Sequence, residues 1–230
     1  MAKAITKNAP KKSVAKKVVK KIAKKVAAPK KMSGKTIAKK VPGLKMYNGK
    51  KLPMIGLGTF GSDHMSNENI QKAVKYSIEN GYRLIDCARV YYNEGSVGKA
   101  IAACIKDGTV TRKELLVISK LANQDHSNVE FACRRTLKDL KLDYLDIFMI
   151  HWPMPNCHPP GCGVDSLDPD AVPWSIDRYI KTWRAMEDLV KKGLVKNIAC
   201  SNMSISKLKD LLKVCKIKPV ANEFEAHPCF

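Results

Sequence analysis

From residue 46 onward, the apolar positions of the chain switch repeatedly between a spacing that suits strands and one that suits helices. Tyr47-Asn48-Gly49-Lys50 carries the Asn-Gly pair of a tight hairpin, and Leu52 to Leu57 reads as a short strand following it. Ser66 is placed to cap a helix whose Ile70, Ala73, Val74 and Ile78 share one face, with Gly81 as its stop. The same alternation then recurs. Arg83 to Cys87 is strand-like, Val97, Ile101 and Ile105 form a helical stripe, and Leu115 to Lys120 is an almost unbroken apolar run. Ser127-Asn128-Val129-Glu130 has the spacing of a capping box opening a helix through Phe131, Cys133, Leu137 and Leu140. Strand Leu145 to Ile150, helix Ile176 to Val190 stopped by Gly193, and strand Val195 to Ser201 follow. A last helix places Leu208, Leu211, Leu212 and Cys215 on one face, before a final strand at Pro219 to Glu225.

Apolar strands that each lead into a helix imply a parallel sheet covered on both faces, either doubly wound or closed as a barrel. Polar residues gather at one level of it. Asp86, Lys120, His151, Ser201 with Asn202, and Asn222 with Glu223 all fall at or just beyond the carboxyl end of a strand. In a barrel, that rim is where chemistry is built. Each residue alone has an ordinary role, as a helix cap, a solvated ammonium or a packed ring; their joint placement on one rim points to a site.

Gly56-Leu57-Gly58-Thr59-Phe60-Gly61 matches the dinucleotide fingerprint G-x-G-x-x-G letter for letter. The context is wrong for a Rossmann turn, because Ser62 to Ser66 intervenes before the next helical pattern, whereas the fingerprint needs a helix opening within the motif.

Charge divides the chain in two. Residues 1–45 hold sixteen lysines, no acid and no aromatic, so +16 of the formal +21 lies there. Such a segment buries too little apolar surface to offset chain entropy, and disorder or transient helicity is expected of it. Val14, Val18, Ile22 and Val26 recur every four residues, so a polyanion could draw the segment into an amphipathic helix. Nucleic acid, an anionic membrane surface or an organelle-targeting role are the partners its charge suggests, and its composition is similar to that of linker-histone tails. No apolar run is long enough to span a bilayer. The eight scattered cysteines read as buried thiols of a reducing compartment. Cys157-His158-Pro159-Pro160-Gly161-Cys162 lacks the second ligand pair of a zinc site, so no metal is expected.

Long stretches of the chain resemble the aldo-keto reductase family. The resemblance is carried by Gly81-Tyr82-Arg83-Leu84-Ile85-Asp86-Cys87-Ala88-Arg89-Val90-Tyr91-Tyr92-Asn93-Glu94-Gly95-Ser96-Val97-Gly98, Val117-Ile118-Ser119-Lys120-Leu121, Leu140 to Asp146, Ile150-His151-Trp152-Pro153 and Gly193-Leu194-Val195-Lys196. It implies an α/β fold of the (β/α)8 barrel type over residues 46–230, in which GLGTFG ends the first barrel strand. It also implies NADPH as cofactor and reduction of an aldehyde or ketone by hydride transfer. Tyr91 matches the proton donor, Lys120 paired with Asp86 the group that tunes its acidity toward working pH, and His151 the residue that orients the carbonyl. Tyr92 is the decoy, since Tyr91 keeps the family's offset from Asp86. Thr59, Phe60, Asp86, Ser201, Asn202 and Glu223 match cofactor contacts, Glu223 standing where glutamine is common. Phe60, Val90, His151 and Trp152 match the substrate pocket.

The sequence supplies about six of the eight strand-helix units. The expectation is therefore a fragment, a partner-completed barrel or a degenerate one, with weakened NADPH affinity and open sheet edges prone to self-association. A cytoplasmic protein is expected, with the basic tail making the nucleus an alternative. A catalytically silent, polyanion-binding protein is the competing functional reading.

Overall fold

The computed structural model describes residues 33–61, 64–155 and 173–229. The valine stripe of residues 14–26, the Ser62-Asp63 step and the Cys157 to Cys162 segment lie outside the described residues. One compact unit begins at Ser33. The last part of the lysine-rich segment therefore belongs with this body: Ser33 caps the short helix α1 (Gly34–Lys40), accepting from the Thr36 N–H, and strand β1 (Gly43–Lys45) follows.

β1 pairs antiparallel with β2 (Lys51–Pro53) across the Asn-Gly turn, where Gly49 takes φ +82°. The expected continuous strand from Leu52 to Leu57 is broken. Its first residues belong to this hairpin, and only β3 (Leu57–Gly58) enters the main sheet, pairing parallel with β4 (Leu84–Asp86). Next along the sheet are β5 (Leu116–Leu121), β6 (Ile147–Ile150), β7 (Ile198–Ser201) and β8 (Asn222–Glu223), all parallel. The spatial order β3-β4-β5-β6-β7-β8 follows the chain without reversal. A doubly wound sheet reverses direction at a switch point, so this order is that of a singly wound barrel arc.

Among the described residues, five helices connect the strands: α2 (Asn67–Glu79), α3 (Glu94–Lys106), α4 (Val129–Leu140), α5 (Ile176–Lys191) and α6 (Ile205–Val214). Ser66 caps α2 as expected, accepting from the Asn69 N–H at 3.2 Å, and Gly81 leaves it at φ +100°. The Ser127 capping box does not form. The N-cap of α4 is Asn128, with no side-chain cap; its N–H bonds the Asp125 carbonyl of a 3₁₀ turn at Asn123–Asp125, and the Glu130 carboxylate is taken by Arg134 and Lys192. A capping box instead joins Thr111 and Glu114 ahead of β5. On α6, Leu211 is buried but Leu212 is exposed, so the inward stripe is narrower than the apolar pattern.

Side chains alternate across each strand, and the register makes that alternation decisive. Ile85, Val117, Leu121, Phe148, Ile150, Ile198 and Cys200 face the helices in the larger core. Ile118, Ile147, Met149 and Ala199 face the other way, forming a small inner core with Met46 of the hairpin. Asn48 bonds Asn197 at 2.7 Å and the Tyr47 hydroxyl bonds the Lys218 carbonyl, so the hairpin covers the amino-terminal ends of β7 and β8. The carboxyl ends carry the polar residues.

Candidate active site

Asp86 pairs in register with Ile118, and Lys120 lies two residues beyond Ile118. Lys120 pairs with Met149, His151 lies two beyond Met149, and Ser201 lies two beyond Ala199 and pairs with Glu223. A period of two keeps all five on the inner face, one layer above the small core. The register of five strands thus brings together residues that are far apart in the chain.

Lys120 is the centre of this layer and is almost fully buried. Its Nζ donates to both Asp86 carboxylate oxygens, at 2.6 and 2.7 Å, and to the Cys87 carbonyl at 3.2 Å. It also lies 3.1 Å from Glu223 Oε1 and 3.4 Å from the Tyr91 hydroxyl. Tyr91 stands on a 3₁₀ turn, Arg89–Tyr91, directly after β4. The next residue, Tyr92, takes φ 52° and points its ring to solvent, which excludes it from the cluster. The His151 ring meets the Tyr91 ring edge-on at 5.8 Å, and Phe60 meets the other side at 5.0 Å. Phe60 and Trp152 are both partly exposed, and Trp152 stacks on His151 at 6.4 Å, so aromatic surface rims the opening above Tyr91. Val90 is half-buried on the same turn.

Burial and charge set the protonation states. Burial lifts the Asp86 carboxyl to about 6 against the pull of Lys120, while Glu223 adds to the rise. Burial disfavours the Lys120 ammonium, but Asp86, Tyr91 and Glu223 together outweigh it and hold the amine charged. His151 is pushed down to about 3 by burial and by Lys120, and is therefore neutral at pH 7. The Tyr91 phenol departs from the expected lowering. Lys120 does draw it down, but burial acts more strongly, with Asp86 and Glu223 on the same side, and the net shift is upward. The phenol is thus a fully protonated donor in this state, with its acidity held in check.

The other expected contacts divide. Thr59 is buried, and both its amide and its hydroxyl donate to the Asp86 carbonyl at 2.9 Å, so it anchors Asp86. Asn202, at φ 56°, donates to the His151 carbonyl at 3.0 Å and to Ser201 Oγ at 3.1 Å. Two supporting residues gained no role from the sequence, although both lie in the Gly81–Gly98 stretch. Asn93 donates to the Thr59 carbonyl at 2.7 Å, and buried Glu94 accepts from Ser119 at 2.6 Å and Thr136 at 3.2 Å, tying α3 to β5 and α4. Their signal was the acidic, amide-bearing start of a helix placed straight after the candidate donor.

A nicotinamide is a flat ring with a carboxamide that both donates and accepts. A Cβ built on Gly58, beside Asp86 in register, meets nothing within 4 Å, and Ser201, Asn202 and Glu223 place a hydroxyl, an amide oxygen and a carboxylate on the same rim, groups of the chemistry that pairs with a carboxamide.

The aldo/keto reductase family profile matches residues 54–230. The chain belongs to the aldo/keto reductase family. Aldo-keto reductase family 1 member A1 of Gallus gallus is 42% identical over 187 residues, covering 80% of this chain and 56% of the relative. The NADH-dependent D-xylose reductase of Candida parapsilosis is 42% identical over 200 residues, covering 81% and 59%. Among solved structures, the aldose reductase of Schistosoma japonicum superposes with TM-score 0.70 at 38% identity, covering 81% of this chain and 61% of that one. The Bombyx mori aldo-keto reductase in complex with NADP gives 0.69 at 34%, covering 81% and 58%. The chain therefore spans somewhat more than half the length of these family members. No helix among the described residues is long and apolar enough to cross a membrane.

Proposed function

We propose that the chain carries the catalytic half of an NADPH-dependent carbonyl reductase, converting an aldehyde or ketone to an alcohol at Asp86, Tyr91, Lys120 and His151. The observation that carries this reading is the Lys120 ammonium, held by Asp86 at 2.6 Å while lying 3.4 Å from the Tyr91 hydroxyl. Ser201, Asn202 and Glu223 would hold the nicotinamide carboxamide, Phe60 would flank the ring, and Thr59 would act through Asp86. NADPH, when bound, supplies a hydride to the carbonyl carbon.

The protein's part is to receive the charge that then develops on oxygen. Tyr91 gives its hydroxyl proton to that oxygen, and Lys120 steadies the phenolate left behind, which is stronger help in a buried setting than in water. Asp86 fixes the ammonium in place. Neutral His151 keeps one ring N–H, which orients the carbonyl oxygen without adding positive charge. Val90, Phe60 and Trp152 would form the apolar wall that meets the rest of the substrate.

NADPH oxidation followed at 340 nm with small aldehydes tests this directly. Tyr91→Phe should abolish it; full activity in that variant would refute the assignment. Quenching of tryptophan fluorescence by NADPH gives a separate reading of cofactor binding. The buried thiols Cys87, Cys104, Cys133 and Cys200 support a reducing, cytoplasmic compartment. The polyanion-binding alternative rests on the lysines of residues 1–45 alone, and the assembled tetrad favours the enzyme.

A further inference from the structure

The Lys120 ammonium has three protons and more claimants than it can serve. Its hydrogen bonds go to the two Asp86 oxygens at 2.6 and 2.7 Å, the Cys87 carbonyl at 3.2 Å and, longest, the Tyr91 hydroxyl at 3.4 Å, while the Glu223 carboxylate draws it as an ion pair at 3.1 Å. Glu223 comes from β8, on the opposite side of Lys120 in the strand order from Asp86 on β4. Its side chain is partly open to solvent, whereas Lys120 is not.

We propose that Glu223 is a positioning residue that restrains the proton donor by holding Lys120 away from Tyr91. This deepens the carbonyl-reductase reading and rests on it for its consequence in catalysis. Glutamine at this position would have nearly the same shape, but it would not bind the ammonium as a counter-ion. Lys120 would then lean toward the phenol, and its charge would be neutralised by Asp86 alone. The charged and titratable groups facing Tyr91 are Asp86 at the end of β4, Lys120 on β5, His151 after β6 and Glu223 on β8, while the neighbouring Cys87 packs into the larger core. Of these, neutral His151 carries no charge near pH 7, and the Cys87 thiol, pushed well up by burial, is neutral as well. Lys120, Asp86 and Glu223 therefore set the field at the phenol, and the first two are locked together.

The test is an ultraviolet difference titration of the full chain, following phenolate absorbance. Subtracting the Tyr91→Phe variant in each background isolates the Tyr91 step. Glu223→Gln should move that step down by about 0.5 to 1 pH unit. Glu223→Ala, which removes the carboxylate without leaving an amide, should move it the same way. A step unmoved or moved upward in folded protein of either variant would overturn the proposal. NADPH turnover answers a different question. A shifted Tyr91 step in a chain that reduces no carbonyl supports the restraint and refutes the reductase reading; turnover with an unshifted step does the reverse. Where turnover occurs, the alkaline limb of the kcat profile should shift down with the Tyr91 step in Glu223→Gln, which a merely structural role would leave in place.

Discussion

Two adjacent tyrosines and one buried lysine separate chemistry from scaffold in this chain. Tyr91 lies 3.4 Å from an ammonium while Tyr92, on a left-handed residue, is exposed. Losing the phenol of Tyr91 should lower carbonyl reduction by at least about a hundredfold, the scale of a missing general acid. Tyr92→Phe should change it less than about twofold, because no residue of the cluster touches that ring. Steady-state kinetics on the two variants checks both values. Lys120→Met makes a different demand. It leaves the Asp86 and Glu223 carboxylates facing one another without a counter-ion, and should cost about 3 to 5 kcal/mol of stability at pH 7 in urea unfolding. Part of that loss should return at pH 5, since Asp86, with a carboxyl already lifted to about 6, can then take up a proton.

At the scale of elements, the helices and the strand ends were legible in the sequence because each has a local cause. Ser66 offers an oxygen to free amides at a helix start, and Gly81 and Gly193 take left-handed angles other residues resist. The polar residues at the strand ends were legible for the same reason: strand and helix alternate, and the rim is where one becomes the other. Register was not legible. Nothing local says that Lys120 aligns with Met149, or that Glu223 reaches Lys120 from a strand four positions around the sheet from β4. Nor does the spacing of Ser127 and Glu130 reveal that a preceding 3₁₀ turn captures the Asn128 amide. Helix packing yields a sharp contrast within α3. A Cβ on Gly98 would lie 2.5 Å from the Asp139 carbonyl oxygen and 2.6 Å from the Leu140 carbonyl carbon, whereas one on Gly95 would meet nothing within 4 Å. Alanine is the better helix former by about 1 kcal/mol. At Gly95 that preference should prevail, leaving stability unchanged or slightly raised. At Gly98 the backbone of α4 must move, and Gly98→Ala should destabilise by about 1 to 3 kcal/mol. Denaturation midpoints of the two variants decide it.

For the molecule as a whole, stability should depend on pH through groups that folding keeps neutral. His126 is buried, its Nε2 meets no hydrogen-bond partner among the described residues, and burial takes it down to about 4; His151 is taken to about 3. In the unfolded chain both return toward 6.5. Between the two values the unfolded chain binds protons that the folded one refuses, so stability rises with pH there and is lost as pH falls from about 6.5. Asp86 acts in the opposite sense. Its folded value near 6 exceeds the ordinary 3.8, so the folded state gains protons first and is favoured as pH falls across that window. The opposing contributions make the total curve a poor test, but a single substitution isolates one of them. His126 lies outside the cluster of Asp86, Lys120 and Tyr91, lining a small cavity with Pro153, Tyr179 and Thr182. Replacing it with phenylalanine removes its titration, so the slope of unfolding free energy against pH between 6.5 and 4 should fall by up to about 1.4 kcal/mol per pH unit relative to the parent chain. Integrated over the window, that amounts to roughly 3 kcal/mol. Parallel slopes for the two proteins in urea titrations at pH 7, 6, 5 and 4.5 would mean that His126 binds its proton as readily in the folded chain as in the unfolded one, which would overturn its burial as a source of the pH dependence.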